Sequence, residues 1–508
     1  MKKNLFLLVT VALMVTLFGL SGQTMAQKSL VVAIDVPPRT MNPHGSDADA
    51  NLQYMANFFD GLLQRVGPEG KLIPALAERW EHPDLLTWKF YLRKGVKFHN
   101  GNPFTAQDVK FSFERLSNPE VSEFINTGKS IESIDMIDDY TVVIKTKEPI
   151  PWFANNMHQV FIMDKESTEA RDPGDVGVRP IGTGAYKFVE WVKGSYVRME
   201  ANEGYWEGAP LIKKVEVRPI TESSTRFAAL VSGQAELMSG VPVELYAKIV
   251  KNPKLDIINR PARRSIFLAL GNKVTSPMAD VRVRKAMYMA INEDEIIAKV
   301  MRGHAAPAAQ VPDPPTIGYN PELKRLPYDP AMAKKLLKDA GYPKGFEVTL
   351  SGPNDRYVQD EQIAEAVAKY LAKVGIKVEL DVKPKSIFFD EVARGVLDFY
   401  LIGWFDGTFD MGRTYFKLAH TREEAYGGLN GAAYSDPDID KLLESTASTV
   451  SPEERKKSLQ RLNQMAMVDK IVWIPLHYQE DLYAIFKGRG VKFSPRPDRW
   501  LVYKEISK

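Results

Sequence analysis

The hydrophobic and polar positions of this chain change period several times, and each change marks an element. Residues 30–34 ("LVVAI") are wholly apolar, which predicts a buried strand. The proline-rich "DVPPRTMNPH" that follows ends it as a loop. Trp88, Phe90 and Leu92 alternate with Lys89, Tyr91 and Arg93, the period of a strand with one buried face. Lys94-Gly95 turns the chain, Val96 and Phe98 repeat the alternation, and Asn100-Gly101 is a tight-turn signal, so the pattern predicts a hairpin. Thr105, with Asp108 three residues on, opens a helix as a capping box, and Val109, Phe113 and Leu116 form its apolar face.

Further on, the pattern alternates between helix and strand. Asp329-Pro330 starts a helix that carries Leu336 and Leu337 and stops at Gly341. A second runs from about Glu361 to Lys373, stops at Gly375 and leads into the alternating strand "IKVEL". "FYLIGW" (399–404) reads as a buried strand followed by the irregular loop "FDGTFDMGR". No low-complexity linker and no repeat of solenoid length interrupts the chain. The expectation is a multi-lobed α/β body.

The first 26 residues stand apart. Lys2 and Lys3 precede an apolar run from Leu5 to Leu20, and small residues end the segment at Thr24-Met25-Ala26. That is the build of a secretory signal cleaved after Ala26; the alternative is an uncleaved membrane anchor, for which the run is short. The formal net charge of +3 loses two lysines with the signal and becomes +1, so the remaining chain offers little pull on nucleic acid or anionic lipid. No later run is apolar enough to span a bilayer. There is no cysteine, which excludes disulfides, thiol chemistry and a lipid anchor on a cysteine after the signal. The expectation is an exported, unanchored protein.

Catalytic and cofactor signals are weak. The seven histidines, at 44, 82, 99, 158, 304, 420 and 477, include no pair at metal-ligand spacing on one helix. Gly182-Thr183-Gly184 lacks the third glycine of a dinucleotide fingerprint, and no nucleophile elbow or phosphate-cradling loop is present. No cofactor and no metal is expected. A hydrolase with two distant carboxylates stays open, because such pairs need not be close in sequence. His99 sits between Phe98 and a turn with no partner nearby, and reads as a surface or capping residue of an architectural hairpin.

Several stretches together resemble one family. They are "PALAERWE", "TWKFYLRKGVKFHNGNPFTAQDVKFSFERL", "PIGTGAYKFVEW", "ANEGYWEGAP", "DVRVRKAMYMAINEDEII", "YDPAMAKKLLKDAGYPKGFEVTL", "NDRYVQDEQIAEAVAKYLAKVGIKVEL" and "IPLHYQEDLYAI". In this order they are similar to the extracytoplasmic solute-binding proteins of ABC importers, in the large peptide/nickel-type group with the dipeptide- and oligopeptide-binding proteins. The resemblance implies a type II, two-lobed periplasmic-binding-protein fold with an extra domain inserted in lobe I. Lobe I would comprise 27–47, 176–267 and 480–508, the additional domain 48–175, and lobe III 268–479. It implies a monomer that captures a peptide or small molecule in an interlobe cleft, closes on it like a flytrap and delivers it to a separate membrane permease. Oligosaccharides, opines and metal chelates are carried on the same scaffold, so fold leaves the ligand open.

The resemblance also points to site residues. In peptide-binding relatives the loop after the tryptophan carries an aspartate that pairs with the ligand's ammonium group. Here Gly407 holds that position, with Asp406 before it and Asp410 after it. Asp406 serves as anchor if the loop shifts by one residue; otherwise it caps the turn. Trp404 is either a stacking platform or core. Asp35, Val36 and Arg39 form the matching loop of lobe I, and Arg263, Arg264, Arg356, Tyr357 and Arg413 lie on segments that flank the cleft in relatives. A guanidinium facing a cleft suits a carboxylate or phosphate, so two or more of them facing inward predict an anionic, peptide-like ligand; the alternative for any single arginine is a surface salt bridge. "SGVPVELYAKI" (239–249) resembles a segment crossing the cleft floor.

Overall fold

A computed structural model describes residues 28–449 and 451–508; the signal-like segment lies outside them. The apolar run at the start forms strand Ser29–Ile34, which pairs in parallel with Lys214–Pro219 on one side and Leu237–Met238 on the other. It belongs to one large mixed sheet. From one edge, its order is Lys377–Lys383, Glu347–Pro353, Phe399–Trp404, Leu255–Leu270, Trp473–Phe486, Leu237–Met238, Ser29–Ile34, Lys214–Pro219, Tyr196–Ala201 and Tyr186–Val192.

Two strands of that sheet are unusually long, at 16 residues (Leu255–Leu270) and 14 residues (Trp473–Phe486). They pair antiparallel from Leu255 opposite Phe486 to Ala269 opposite Trp473, with register shifts between Pro261 and Ser265 and between Ile266 and Phe267. The shifts fall where the hydrophobic core divides. Ile266–Leu270, Trp473, Ile474 and Leu476 belong to one buried cluster, which also holds the strand Phe399–Trp404 and the helices Val281–Ala290 and Asp360–Ala372. Tyr483 and the partly buried Ile258 and Ile485 belong to another, built on Ser29–Ile34. Two bodies thus share two continuous strands, and bulges bend a strand pair where its ladder is broken.

The second cluster has no seam between the first strand and residues 52–163. Leu30, Val32 and Val217 pack in the same cluster as Trp88, Phe90, Val109 and Phe113. The latter ride on an antiparallel sheet in the order Ala77–Glu81, Thr87–Leu92, Thr141–Thr146, Ile131–Asp138. Trp88, Phe90 and Leu92 are buried, as their alternation requires, and Thr105 and Asp108 make the reciprocal capping box of helix Ala106–Arg115. The expected hairpin does not form. Past Leu92, Lys94-Gly95 turns the chain with Gly95 at φ 77°, and only a single bridge, Lys97 to Pro103, follows. Thr87–Leu92 instead pairs with strands that sequence alternation cannot match to it.

His99 is half-buried, not a surface residue. Its backbone N–H donates to the Gly182 carbonyl at 2.8 Å, and its Nε2 lies 3.0 Å from the Gly184 carbonyl. It staples the Gly182-Thr183-Gly184 loop, and burial pulls its ring down to about 4. The helices of the other body follow their signals. Asp329 caps Pro330–Asp339, Gly341 follows at φ 94°, and Asp360–Ala372 ends before Gly375 at φ 93°. No helix among the described residues is long and apolar enough to cross a membrane.

Candidate functional site

The strand Phe399–Trp404 pairs with Leu255–Leu270, placing Trp404 opposite Ser265, beside the register shift. The loop that follows is held together internally. Asp406 is buried and accepts from Thr408 N (2.9 Å), Thr408 Oγ1 (2.5 Å), Arg413 Nη1 (3.0 Å) and Thr414 Oγ1 (3.1 Å). Burial raises a carboxyl's pKa, but Arg413 and these donors outweigh it and keep Asp406 below its ordinary value. Its oxygens organise the turn. Gly407 lies so close to the Gln159 side-chain amide that a β-carbon there would require the Gln159 amide to move aside.

Asp410 lies inside the protein, engaged with its own neighbours. It is fully buried, caps helix Met411–Leu418 by accepting from Gly412 N (2.9 Å), and takes both arms of Arg455 at 2.6 and 2.8 Å. Arg263 is likewise occupied: it chelates Asp313 through two nitrogens, donates to Thr316 Oγ1 at 2.7 Å and lies over the Phe409 ring. Trp404 is half-buried, donating from Nε1 to Thr414 Oγ1 at 3.1 Å. Arg39 is exposed and pairs with Glu123 at 3.1 Å, and the Val36 carbonyl accepts from the Tyr54 hydroxyl. Asp35 backs onto Gly240, whose left-handed backbone (φ 59°) leaves no room for a side chain.

Arg264 differs from these. It is 7 % exposed yet forms no ion pair and no side-chain hydrogen bond among the described residues. Burial and the like charges of Arg499 and Arg356 pull its guanidinium down to about 10. Its guanidinium is 5.6 Å from the centroid of the Tyr357 ring, and that of the exposed Arg356 is 5.7 Å from the same centroid. The Tyr357 hydroxyl is tied to the Gly403 carbonyl at 2.9 Å, so this ring is fixed. Asp49, at the start of helix Asp49–Phe58, faces the group from the other body; burial raises its carboxyl against the pull of Arg264 and Arg499. Arg499 sits 2.9 Å from Asp481, but Nε is not aligned to donate and the backbone is left-handed (φ 67°). Nearby, Arg413 and burial bring Lys417 down to about 8 while Asp406 and Asp47 oppose them.

Asp47, Asp49, Lys417 and Arg499 escaped the sequence reading. Each is an ordinary charged residue in its own segment and gains meaning only from what the fold sets opposite it. The segment 239–249 does meet the other body, with Glu244 accepting from Gln359 and the Tyr246 ring 4.0 Å from that of His304. Among the described residues no cluster of three or more histidines and carboxylates is arranged to hold a metal ion.

The architecture and the comparisons with known proteins agree. The model of the bacterial extracellular solute-binding proteins, family 5 Middle, matches residues 71–425. The chain belongs to this family. It therefore has the two-lobed periplasmic-binding-protein fold and serves as the solute-binding component of an ABC transporter, in a family whose members are transport proteins. Among its relatives is a protein named glutathione-binding protein GsiB from Pectobacterium atrosepticum, 31% identical over 455 residues, 88% of each chain. GsiB of Salmonella typhimurium is 30% identical over 462 residues, 89% of each. Among solved structures, HbpA2 from Haemophilus parasuis has a TM-score of 0.84 at 25% identity, covering 94% of this chain and 99% of that one. DppA from Helicobacter pylori, in complex with peptide STSA, has a TM-score of 0.78 at 26% identity, covering 96% and 99%. AgaA in complex with agropinic acid, from A. tumefacien R10, has a TM-score of 0.75 at 26% identity, covering 94% and 98%.

Proposed function

We propose that this solute-binding protein captures a peptide or peptide-like solute carrying at least one carboxylate, and that Arg264 is its principal anion partner. One observation carries the reading. Arg264 is a buried guanidinium with no ion pair or side-chain hydrogen bond among the described residues and only the more distant charge of Asp49 opposing it, set where the two bodies meet, and such a charge is costly until something pairs with it. A ligand carboxylate brought in by closure supplies that pair bidentately. Arg356 and Arg499 add positive field, Tyr357 and Trp404 offer aromatic faces, and Asp35, Asp49 and Asp47 suit a ligand's ammonium end. Val36, Arg39 and Arg413 border the same cleft. Asp406 organises the loop and does not anchor the ligand.

The names of the relatives support this class. Glutathione, peptide STSA and agropinic acid appear in them, and all three carry carboxylates. The division of the core into two clusters supports two bodies; we read lobe I as 27–47, 176–267 and 480–508, with an additional domain at 48–175 that shares its core, and lobe III as 268–479. The mature protein begins at Gln27, is periplasmic without a lipid anchor, acts as a monomer with a separate permease, and performs no chemistry and binds no nucleic acid.

Calorimetry on protein freed of bound solute by unfolding and refolding tests the reading. The panel holds glutathione, di- and tripeptides, an opine and neutral oligosaccharides. A carboxylate-bearing member should bind without turnover, and Arg264→Gln should weaken it by about tenfold or more, the scale of one charge-assisted hydrogen bond. Tight binding of a neutral sugar, unaffected by Arg264→Gln, would sink the proposal.

A further inference from the structure

The loop after Trp404 does more than border the cleft: it reaches a different part of the molecule. Strands Leu63–Val66 and Lys71–Pro74 form a small hairpin within residues 48–175, with a turn at Gly67–Gly70. Arg65 on that hairpin is buried, and its Nη2 donates to the Thr408 carbonyl at 2.9 Å. Its guanidinium also lies 3.8 Å from the centroid of the Phe409 ring, while Arg263 covers the same ring at 3.3 Å. Phe409 is therefore in contact with two guanidiniums, one from the hairpin and one from the long shared strand.

The neighbours are shaped for this arrangement. A β-carbon at Gly70 would come within 2.8 Å of the Phe409 ring, so the turn needs glycine where the ring arrives. Gly407 is bare where it meets Gln159, and the Trp152 ring is 5.8 Å from that of Phe416 on the next helix. Arg260, on the long shared strand, donates to the carbonyls of Pro68 and Pro495. Phe409 itself adopts a left-handed backbone (φ 60°), which a residue with a bulky side chain rarely holds without support. Two like charges on one ring repel, and Asp313 neutralises Arg263. Among the described residues the Arg65 guanidinium has no such ion pair; its hydrogen bonds run to the carbonyls of Gly70 and Thr408.

We infer that the hairpin at residues 63–74 is a docking socket for the loop 405–410, and that the Arg65–Phe409–Arg263 stack latches the closed form. The additional domain is then part of the closing device. Residues that touch no ligand set how much of the protein is closed, and through that the apparent affinity for every ligand. The inference takes the cleft between the bodies as the ligand site, but needs no particular ligand.

The cysteine-free chain makes a direct test available. Two double-cysteine proteins are made, Gln159→Cys with Gly407→Cys at the latch, and Glu244→Cys with Gln359→Cys across the bodies elsewhere. Each is oxidised without added ligand and the rate of intramolecular cross-linking is followed by gel shift. Both pairs should cross-link. Arg65→Met, which keeps the stem and removes the charge and the donors, should slow both by about fivefold, the population change matching one cation–π contact. Phe409→Leu serves as the second variant should Arg65→Met fail to fold, as judged by circular dichroism. Failure of the latch pair to cross-link would overturn the inference. So would an unchanged rate at the Glu244/Gln359 pair in both variants, which would leave the stack a local contact. Neither outcome bears on which solute binds, which the calorimetry decides separately.

Discussion

At the scale of single residues, charge and burial set the behaviour. Arg264→Gln should have opposite effects on the two states. It removes a buried, unpaired charge from the empty protein, so the thermal midpoint without ligand should hold or rise, while affinity for a carboxylate ligand falls. Differential scanning calorimetry with and without ligand separates the two effects. The histidines give a second expectation. His44 and His158 are fully buried, and burial, with Arg115 and Arg65 respectively, pulls each down to about 3. The unfolded chain protonates them near their ordinary value, so the folded form is the poorer proton acceptor and stability falls as pH drops below 6.5. At pH 5 each should cost about 2 kcal/mol, and His158→Gln should flatten the slope between pH 6.5 and 4 in a denaturant titration. An equal slope in the variant would show that His158 is not the group titrating.

At the scale of elements, the loop and helix after Trp404 depend on a side-chain framework that the sequence reading assigned to the ligand. Asp410 ties the N-terminus of helix Met411–Leu418 to Arg455 on helix Pro452–Gln464. Asp410→Asn leaves Arg455 buried without its partner and should destabilise the protein by about 3 to 5 kcal/mol. Ligand affinity of the folded fraction should be nearly unchanged; a large loss of affinity with little loss of stability would return Asp410 to the site. Gly403 makes a parallel case, since a β-carbon there would lie 2.7 Å from both Ile266 Cδ1 and the Tyr357 ring. Gly403→Ala should displace Tyr357 and so disturb the wall beside Arg264, which tryptophan fluorescence on ligand addition would report.

At the scale of the whole molecule, two bodies on two shared strands can change their mutual angle with little local rearrangement, because the register shifts already break the ladder. A ligand that binds only the closed arrangement must stabilise it by mass action. At a hundredfold excess over the dissociation constant the gain should be about 2.7 kcal/mol, read as a rise in thermal midpoint. Salt should weaken binding modestly, because charges enclosed on closure are screened less than exposed ones.

Local pattern alone determined much of this protein. The buried strands at 30–34 and 399–404, the capping box at Thr105, the helices stopped by Gly341 and Gly375 and the α/β character all follow from period and capping chemistry, which act over a few residues. The family was legible too, because its segments recur in order along the chain. Only tertiary structure decided the pairing of Thr87–Leu92, the division of one sheet between two cores and the fate of each charged residue. Arg263 and Arg264 are adjacent in sequence, yet one is neutralised by Asp313 and the other forms no ion pair among the described residues. No local signal distinguishes them, since a counter-charge is supplied by whatever distant segment the fold brings alongside.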